Sequence, residues 1–201
     1  MKHSQKLDLY AQHKAEYVTP KHPVLIHASP AQYLAISGHG TPGDPQFQKK
    51  LAALYNVAFT IKMASKFAGQ DYAVSKLEGL WSQDGASHSS GQWNWTLLIR
   101  LPDFIGPKNL KDAIQKLREK GKDPEVEQVE IKKLKEGRSV QMLHVGPYDQ
   151  EAPTIEAMRK FAADLGLAFR GLHHEIYLSD PRRVPPAKLR TILRYQVAAL
   201  R

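Results

Sequence analysis

Glu175 is the acid whose neighbours could make it reactive. It lies in the run His173-His174-Glu175-Ile176-Tyr177-Leu178, which reads as a strand. Alternate residues of a strand share a face, so Glu175 stands with His173 and Tyr177 while His174 points the other way. A carboxyl group among aromatic rings loses water, and that loss raises its pKa. Such a group can take a proton from water or attract a lipophilic cation. The competing assignment is a strand glutamate paired to Arg182 or Arg183. A second acid, Glu78, sits in Leu77-Glu78-Gly79-Leu80-Trp81, again on a strand and beside an aromatic residue. Tyr55, Trp81, Trp93, Trp95, Tyr148 and Tyr177 could wall a pocket around such acids, although aromatic stripes more often fill a core. Trp81 and Tyr148 fall at strand ends, where the mouth of a groove would be.

Other chemistries are less well supplied. The chain has 201 residues and no cysteine, which removes disulfides, thiol nucleophiles and Cys-ligated zinc or iron–sulfur sites. His173 and Glu175, with His144, are residue types that ligate zinc or iron, but no H-E-x-x-H occurs, so no metal is expected. Gly38-His39-Gly40-Thr41-Pro42-Gly43 spells G-x-G-x-x-G. The acid that a dinucleotide site needs about 20 residues later is missing, and a tight glycine turn is the simpler assignment.

The elements that must position these residues follow from hydrophobic spacing. Phe47, Leu51, Leu54, Ala58 and Ile61 mark one stripe of a helix from about residue 44 to 67, which Gly69 closes. Tyr55, Phe59 and Met63 form a second stripe, which implies cover on more than one side. Trp93 to Leu101 alternates as a strand, with Trp93, Trp95, Leu97, Ile99 and Leu101 on one face. Residues 82–92 read as a hairpin loop. Leu110, Ala113, Ile114 and Leu117 mark a helix stopped by Gly121, and Val126 to Leu134 reads as a half-exposed strand. Arg138 to Val145 is another strand. A helix follows it, with Asp149 as candidate N-cap, and Gly171 to Ser179 and Arg190 to Val197 close the chain as strands. The order strand, glycine turn, helix, strand, strand thus occurs twice, from about Tyr33 to Leu101 and from Ser139 to Val197. Two such βαββ units should pair about a pseudo-twofold and leave a groove between them.

Several stretches carry a family resemblance. They are Asp8-Leu9-Tyr10 with Lys14-Ala15-Glu16-Tyr17, Ile36-Ser37-Gly38-His39-Gly40, Leu77-Glu78-Gly79-Leu80-Trp81 and Trp93-Asn94-Trp95. The most specific are Gln141-Met142-Leu143-His144-Val145-Gly146-Pro147-Tyr148 and His173-His174-Glu175-Ile176-Tyr177-Leu178-Ser179-Asp180-Pro181-Arg182. Over nearly its whole length the chain resembles the GyrI-like small-molecule-binding proteins, in their standalone branch, related to effector-binding domains of AraC- and MerR-type drug-responsive regulators. The resemblance implies a glutamate among aromatics, here Glu175, that holds lipophilic, often cationic compounds. Some standalone members hydrolyse cyclopropane-bearing DNA-alkylating compounds, and other relatives are described as gyrase inhibitors. The loop Ser82–Gly91 and Ala187 depart from the family pattern.

The expectation is therefore an α+β fold of two pseudo-symmetric βαββ modules. They share an antiparallel sheet, with helices on one side and the groove between the halves on the other. Residues 1–31 are expected to be an arm, 32–102 and 138–201 the halves, and 103–137 the joint. Glu175 would activate water, Tyr148 and Tyr177 would orient it, and Tyr55, Glu78, Trp81, Trp93, Met142, His144 and His173 would face the ligand. No cofactor is called for. The alternative is a non-catalytic drug-sequestering or effector-binding module, with DNA gyrase as a conceivable partner. Charge raises a third option. Lys and Arg total 29 against 20 Asp and Glu, a net +9 that would suit nucleic acid. Arg182, Arg183, Lys188, Arg190, Arg194 and Arg201 carry six of those excess charges, but aromatics do not interleave with them as in a stacking platform. They read better as a solvated edge near the groove. No apolar run approaches the roughly 20 residues of a membrane span, and no apolar signal core follows the first residues, so a cytoplasmic location is expected.

Overall fold

The computed structural model describes residues 6–82 and 93–200; the expected hairpin loop and the departure at Ser82–Gly91 lie almost wholly outside the described residues. Eight strands form one antiparallel sheet: β1 (Val24–Ala28), β2 (Ala31–His39), β3 (Leu77–Trp81), β4 (Asn94–Leu101), β5 (Glu130–Leu134), β6 (Gly137–Val145), β7 (Leu167–Tyr177) and β8 (Arg190–Ala199). Their order is β1-β6-β8-β7-β3-β4-β2-β5. The two expected βαββ units are thus β2, β3 and β4 with helix α2 (Pro45–Phe67), and β6, β7 and β8 with helix α4 (Ala152–Asp164). They meet where β3 pairs with β7.

The outer strands exchange partners. β1 precedes the first unit but pairs with β6 of the second, and β5 precedes the second unit but pairs with β2 of the first. Part of the expected arm therefore belongs to the sheet: Val24–Ala28 is an edge strand. Ahead of it a short helix α1 (Leu9–Gln12) is capped by Asp8, whose carboxylate accepts from the Tyr10 and Ala11 amides. A 3-10 turn, Lys14–Tyr17, then buries Glu16 and Tyr17.

This exchange forces the sheet to curl. Ala28 ends β1 and Ala31 starts β2, a step of at most about 11 Å of chain. In a flat sheet the six spacings between those strands would separate them by about 29 Å. The two ends of the sheet must therefore come together, which creates an inner face and an outer face.

The three longer helices occupy the outer face. α2 lays Phe47, Leu54, Val57, Ala58 and Ile61 on Trp95, Leu97 and Ile99 of β4, as the stripe predicts. Its second stripe is covered only at Tyr55: Phe59 is 52% and Met63 40% exposed. Gly38 is the close-approach position of this core, because a Cβ there would collide with the Trp95 ring. α4 packs Met158 and Ala162 against Val140, Leu193 and Tyr195 in a second, smaller core. Helix α3 (Pro107–Glu119) extends the first core through Ala113 and Leu117. Residues 124–128 form a 3-10 turn, so the expected strand over 126–134 begins only at Glu130. Among the described residues no helix is long and apolar enough to cross a membrane.

Candidate functional site

Two neighbouring histidines on β7 divide the polar chemistry of the molecule between the two faces. His174 points inward. Its Nδ1 lies 2.9 Å from Glu136 Oε1 and its Nε2 2.9 Å from Glu78 Oε2. Carboxylates only accept, so both ring nitrogens must donate and the ring is an imidazolium. Burial opposes that charge, but Glu136 and Glu78 outweigh it and raise the His174 pKa to about 9. Tyr17 Oη donates to Glu78 Oε1 at 3.2 Å. Arg194 reaches Gln141 Oε1 and Glu136 Oε2 at 2.9 Å each, and the Glu16 carbonyl at 2.5 Å. Arg100 Nη1 donates to Glu16 Oε2 at 2.9 Å. Among the described residues of this network, three carboxylates (Glu16, Glu78, Glu136) meet three cations (Arg100, Arg194, His174). This network is neutral and paired, and the N-terminal segment closes over it through Glu16 and Tyr17.

His173 points outward, and its surroundings differ. A single nitrogen, Nε2, faces two carboxylates: Glu151 Oε2 at 3.3 Å and Glu175 Oε1 at 3.2 Å. Its Nδ1 and Glu151 Oε1 are buried without a hydrogen-bond partner among the described residues. Glu151, His173 and Glu175 are 6%, 8% and 8% exposed. Burial disfavours the His173 imidazolium, but bonds to Glu151 and Glu175 raise its pKa to about 9. Burial and repulsion from Glu175 push the Glu151 carboxyl up to about 7. Two acids against one imidazolium leave this cluster one negative charge in excess, unlike the inner network. The donor atoms of the three residues lie within 4.8 Å of one another, a spacing that a metal ion could also span.

Aromatic rings stand beside the cluster. Trp81 Nε1 donates to Tyr177 Oη at 3.1 Å, and the Tyr177 hydroxyl is hydrogen-bonded to Glu175. Burial and the Glu175 charge hold the Tyr177 phenol well above its ordinary pKa, so it stays a donor. The indole and the phenol meet above Gly79, the residue opposite Glu175 across the strands. A Cβ at position 79 would lie 2.8 Å from Trp81 Nε1 and 2.9 Å from Tyr177 Oη, so only glycine leaves room for that contact. The Tyr148 ring stands edge-on to Tyr177 at 5.8 Å, and the Trp93 ring edge-on to Trp81 at 6.2 Å. Burial, Glu175 and Glu151 push the Tyr148 phenol up to about 12.

The site therefore gathers Glu175, His173, Tyr148, Tyr177, Trp81 and Trp93, and it lies on the helix-bearing face, not on the opposite one. Glu175 pairs with His173 rather than with Arg182 or Arg183, which both bind Asp180. Tyr55 is half-buried on α2 and stacks on Phe59 at 6.1 Å. Burial raises its pKa, opposed by Arg182, which places the turn after β7 near it.

Three expected residues do other work. Glu78 belongs to the inner network: it pairs with Ile176 in register, while Gly79 is the residue opposite Glu175. One residue along a strand reverses the face. His144 bonds Thr154 Oγ1 at 3.0 Å and the Pro147 carbonyl at 3.1 Å, fastening the turn that carries Tyr148 to α4. Met142 packs in the α4 core. Arg194, counted in the basic tail, is only 2% exposed and serves the inner network instead of a solvated edge.

Glu151 was not apparent from sequence. α4 begins after it, not after Asp149, which lies in the 3-10 turn Tyr148–Gln150. The available signal is positional: Glu151 occupies the N-cap, a place that favours Ser, Thr, Asp or Asn, and follows Tyr148 by three residues.

A family model described as a GyrI-like small-molecule-binding domain matches residues 22–197. A structure of an uncharacterized conserved protein from Listeria innocua is 35% identical, covering 96% of this chain and 100% of its own, with a TM-score of 0.90. A hydrolase from the same organism is 34% identical with the same coverage and a TM-score of 0.88. The C-terminal domain of EcmrR shares the fold at 12% identity, with a TM-score of 0.58 over 89% of this chain and 98% of its own. Comparison with curated proteins gives no match.

Proposed function

The chain belongs to the GyrI-like small-molecule-binding family, and from that premise we propose that it takes up hydrophobic, electrophilic small molecules in the cytoplasm and hydrolyses them at Glu175. Cyclopropane-bearing alkylating compounds are the substrate class. The observation that carries this reading is the Glu175 carboxylate, 8% exposed and held by His173 and Tyr177 beside the Trp81 ring. The likeness to a Listeria innocua hydrolase over 96% of the chain supports it.

In this reading the aromatic rings of Trp81, Trp93, Tyr148 and Tyr55 hold the flat substrate. Glu175 takes a proton from a water molecule as the water oxygen attacks the ring methylene. The new C–O bond forms as the strained C–C bond breaks. The released electron pair moves into the conjugated carbonyl, whose oxygen then accepts the proton. Strain supplies part of the driving force, and one positioned base contributes on the order of 10²–10⁴ in rate. No metal or cofactor is required.

The test is incubation of purified protein with a spirocyclopropane electrophile and mass spectrometry of the recovered compound. Wild type should yield the product heavier by one water. Glu175→Gln should still quench tryptophan fluorescence on binding but turn over at least about 100-fold more slowly. Equal turnover by the two proteins overturns the assignment.

The excess negative charge of the Glu151–His173–Glu175 cluster favours a second reading, a sequestering module for lipophilic cations. Recovery of the bound compound unchanged, with wild type and variant alike, would select it; gyrase would then be the macromolecular partner to assay.

A further inference from the structure

Glu151 is the one member of the cluster without an assignment in that reaction. It stands at the N-cap of α4, yet its side chain makes no capping bond. Its carboxylate turns to β7 and shares His173 Nε2 with Glu175, at 3.3 and 3.2 Å. These contacts are long for a charge-assisted bond, whose usual length is about 2.7–2.9 Å. The neighbouring His174 shows the alternative, with one carboxylate for each nitrogen at 2.9 Å. Had Glu175 been the sole partner of His173, a tight ion pair would have neutralised it and made it a poor base.

We infer that Glu151 is a positioning residue for the Glu175 base: it draws the His173 Nε2 proton toward itself, so that the imidazolium orients Glu175 without quenching its basicity. The inference rests on the Glu175 reading above. When Glu175 accepts a proton from water, the Nε2–H is left to Glu151, and a neutral Glu151–His173 pair remains beside the protonated Glu175. Repulsion between the two carboxylates, whose oxygens lie within 4.8 Å, favours that proton uptake. Burial and the same repulsion push the Glu151 carboxyl up to about 7. The other titratable groups that act on the cluster are Tyr148 from the preceding turn, Tyr177 on β7 and Tyr195 on β8. All three phenols are raised, and so neutral. Arg159 and Asp180 bear on Tyr195 and Tyr148 from the periphery.

The test compares wild type, Glu151→Gln, Glu151→Asp and Glu175→Gln. Two measurements are made: the NMR titration of the His173 ring, and the pH profile of hydrolysis of a spirocyclopropane. In Glu151→Gln the His173 midpoint should fall, and the acid limb of the profile should move down by about one pH unit. kcat should drop roughly tenfold, while KM changes little. Glu151→Asp should restore both toward wild type. An unmoved His173 midpoint overturns the inference, as does a moved midpoint with an unmoved acid limb. A lower melting temperature with neither readout changed shows a structural role and also overturns it. If no protein hydrolyses the substrate, the Glu175 reading fails, and with it the positioning role. The His173 midpoint then still reports whether Glu151 and Glu175 share its proton.

Discussion

His173 and His174, consecutive on β7, are each held between two carboxylates on opposite faces of one sheet. The inner histidine gives one nitrogen to each acid, and its charge is balanced within the network. The outer histidine gives one nitrogen to both acids and leaves a negative charge over. Matched ion pairs hold structure, whereas an unmatched acid among aromatic rings is free to take a proton or a cation.

Gly79→Ala should disable the site without removing any of its polar groups. The added Cβ falls 2.8–2.9 Å from both members of the Trp81–Tyr177 hydrogen bond and must push them apart. Overpacking of this kind costs about 1–3 kcal/mol. Ligand-induced quenching of tryptophan fluorescence should weaken, and the thermal midpoint should fall; unchanged binding would show that the contact is dispensable.

Tyr177→Phe keeps the ring that packs against Tyr148 but deletes the hydroxyl linking Trp81 to Glu175. Binding should persist within a few-fold, while hydrolysis falls by about 10- to 100-fold. Steady-state kinetics with a spirocyclopropane separates the two effects.

Stability should be greatest in mildly acidic solution. The His174 pKa is raised from 6.5 to about 9, so its contribution is complete below 6.5 and is lost as pH rises through about 9. His173 is also raised to about 9 and Glu151 to about 7, and both add to the same downward slope. Glu136 is held near 2 against burial by His174 and Arg194. Its contribution is complete above 4.5 and is lost as pH falls toward about 2. Thermal midpoints should therefore peak between about pH 4.5 and 6.5. Chemical denaturation of His174→Gln should show a shallower decline on the alkaline side.

Arg194→Gln should release the N-terminal segment. Arg194 ties the Glu16 carbonyl, Gln141 and Glu136 together inside the curled sheet. Removing one partner from a buried charged network costs about 3–5 kcal/mol. Limited proteolysis should then cut within residues 8–17 well below the unfolding temperature, and wild type should resist under the same conditions.

Much of the architecture was legible because its signals are local. The α2 stripe and the alternation along β4 fix which side chains meet in the core beneath α2, and the repeated strand–helix–strand–strand order gives the two units. Pairing His173 with Glu175 needed only the two-residue period of a strand. Glu78 misled because both acids sit beside aromatics in similar runs. A shift of one residue sends its carboxylate to the inner face, and only the register with β7 reveals that. Glu151 was hidden for another reason. A glutamate at a helix start is unremarkable until the neighbouring helix and strand show that its carboxylate turns away from the cap.

By itself the sequence determined the elements, because they rest on spacing within about 20 consecutive residues, and its motifs along nearly the whole chain carried the family. Only the tertiary structure decided which face is closed and which holds the Glu151–His173–Glu175 cluster. That outcome depends on β1 and β5 crossing to each other's unit, in pairings such as Ala28 with Gly137 and Ala35 with Glu130 that lie far apart in the chain. The crossing curls the sheet and brings Glu16 and Tyr17 into its interior, where the charges match. It leaves Glu151, His173 and Glu175 outside, beneath the helices, where they do not.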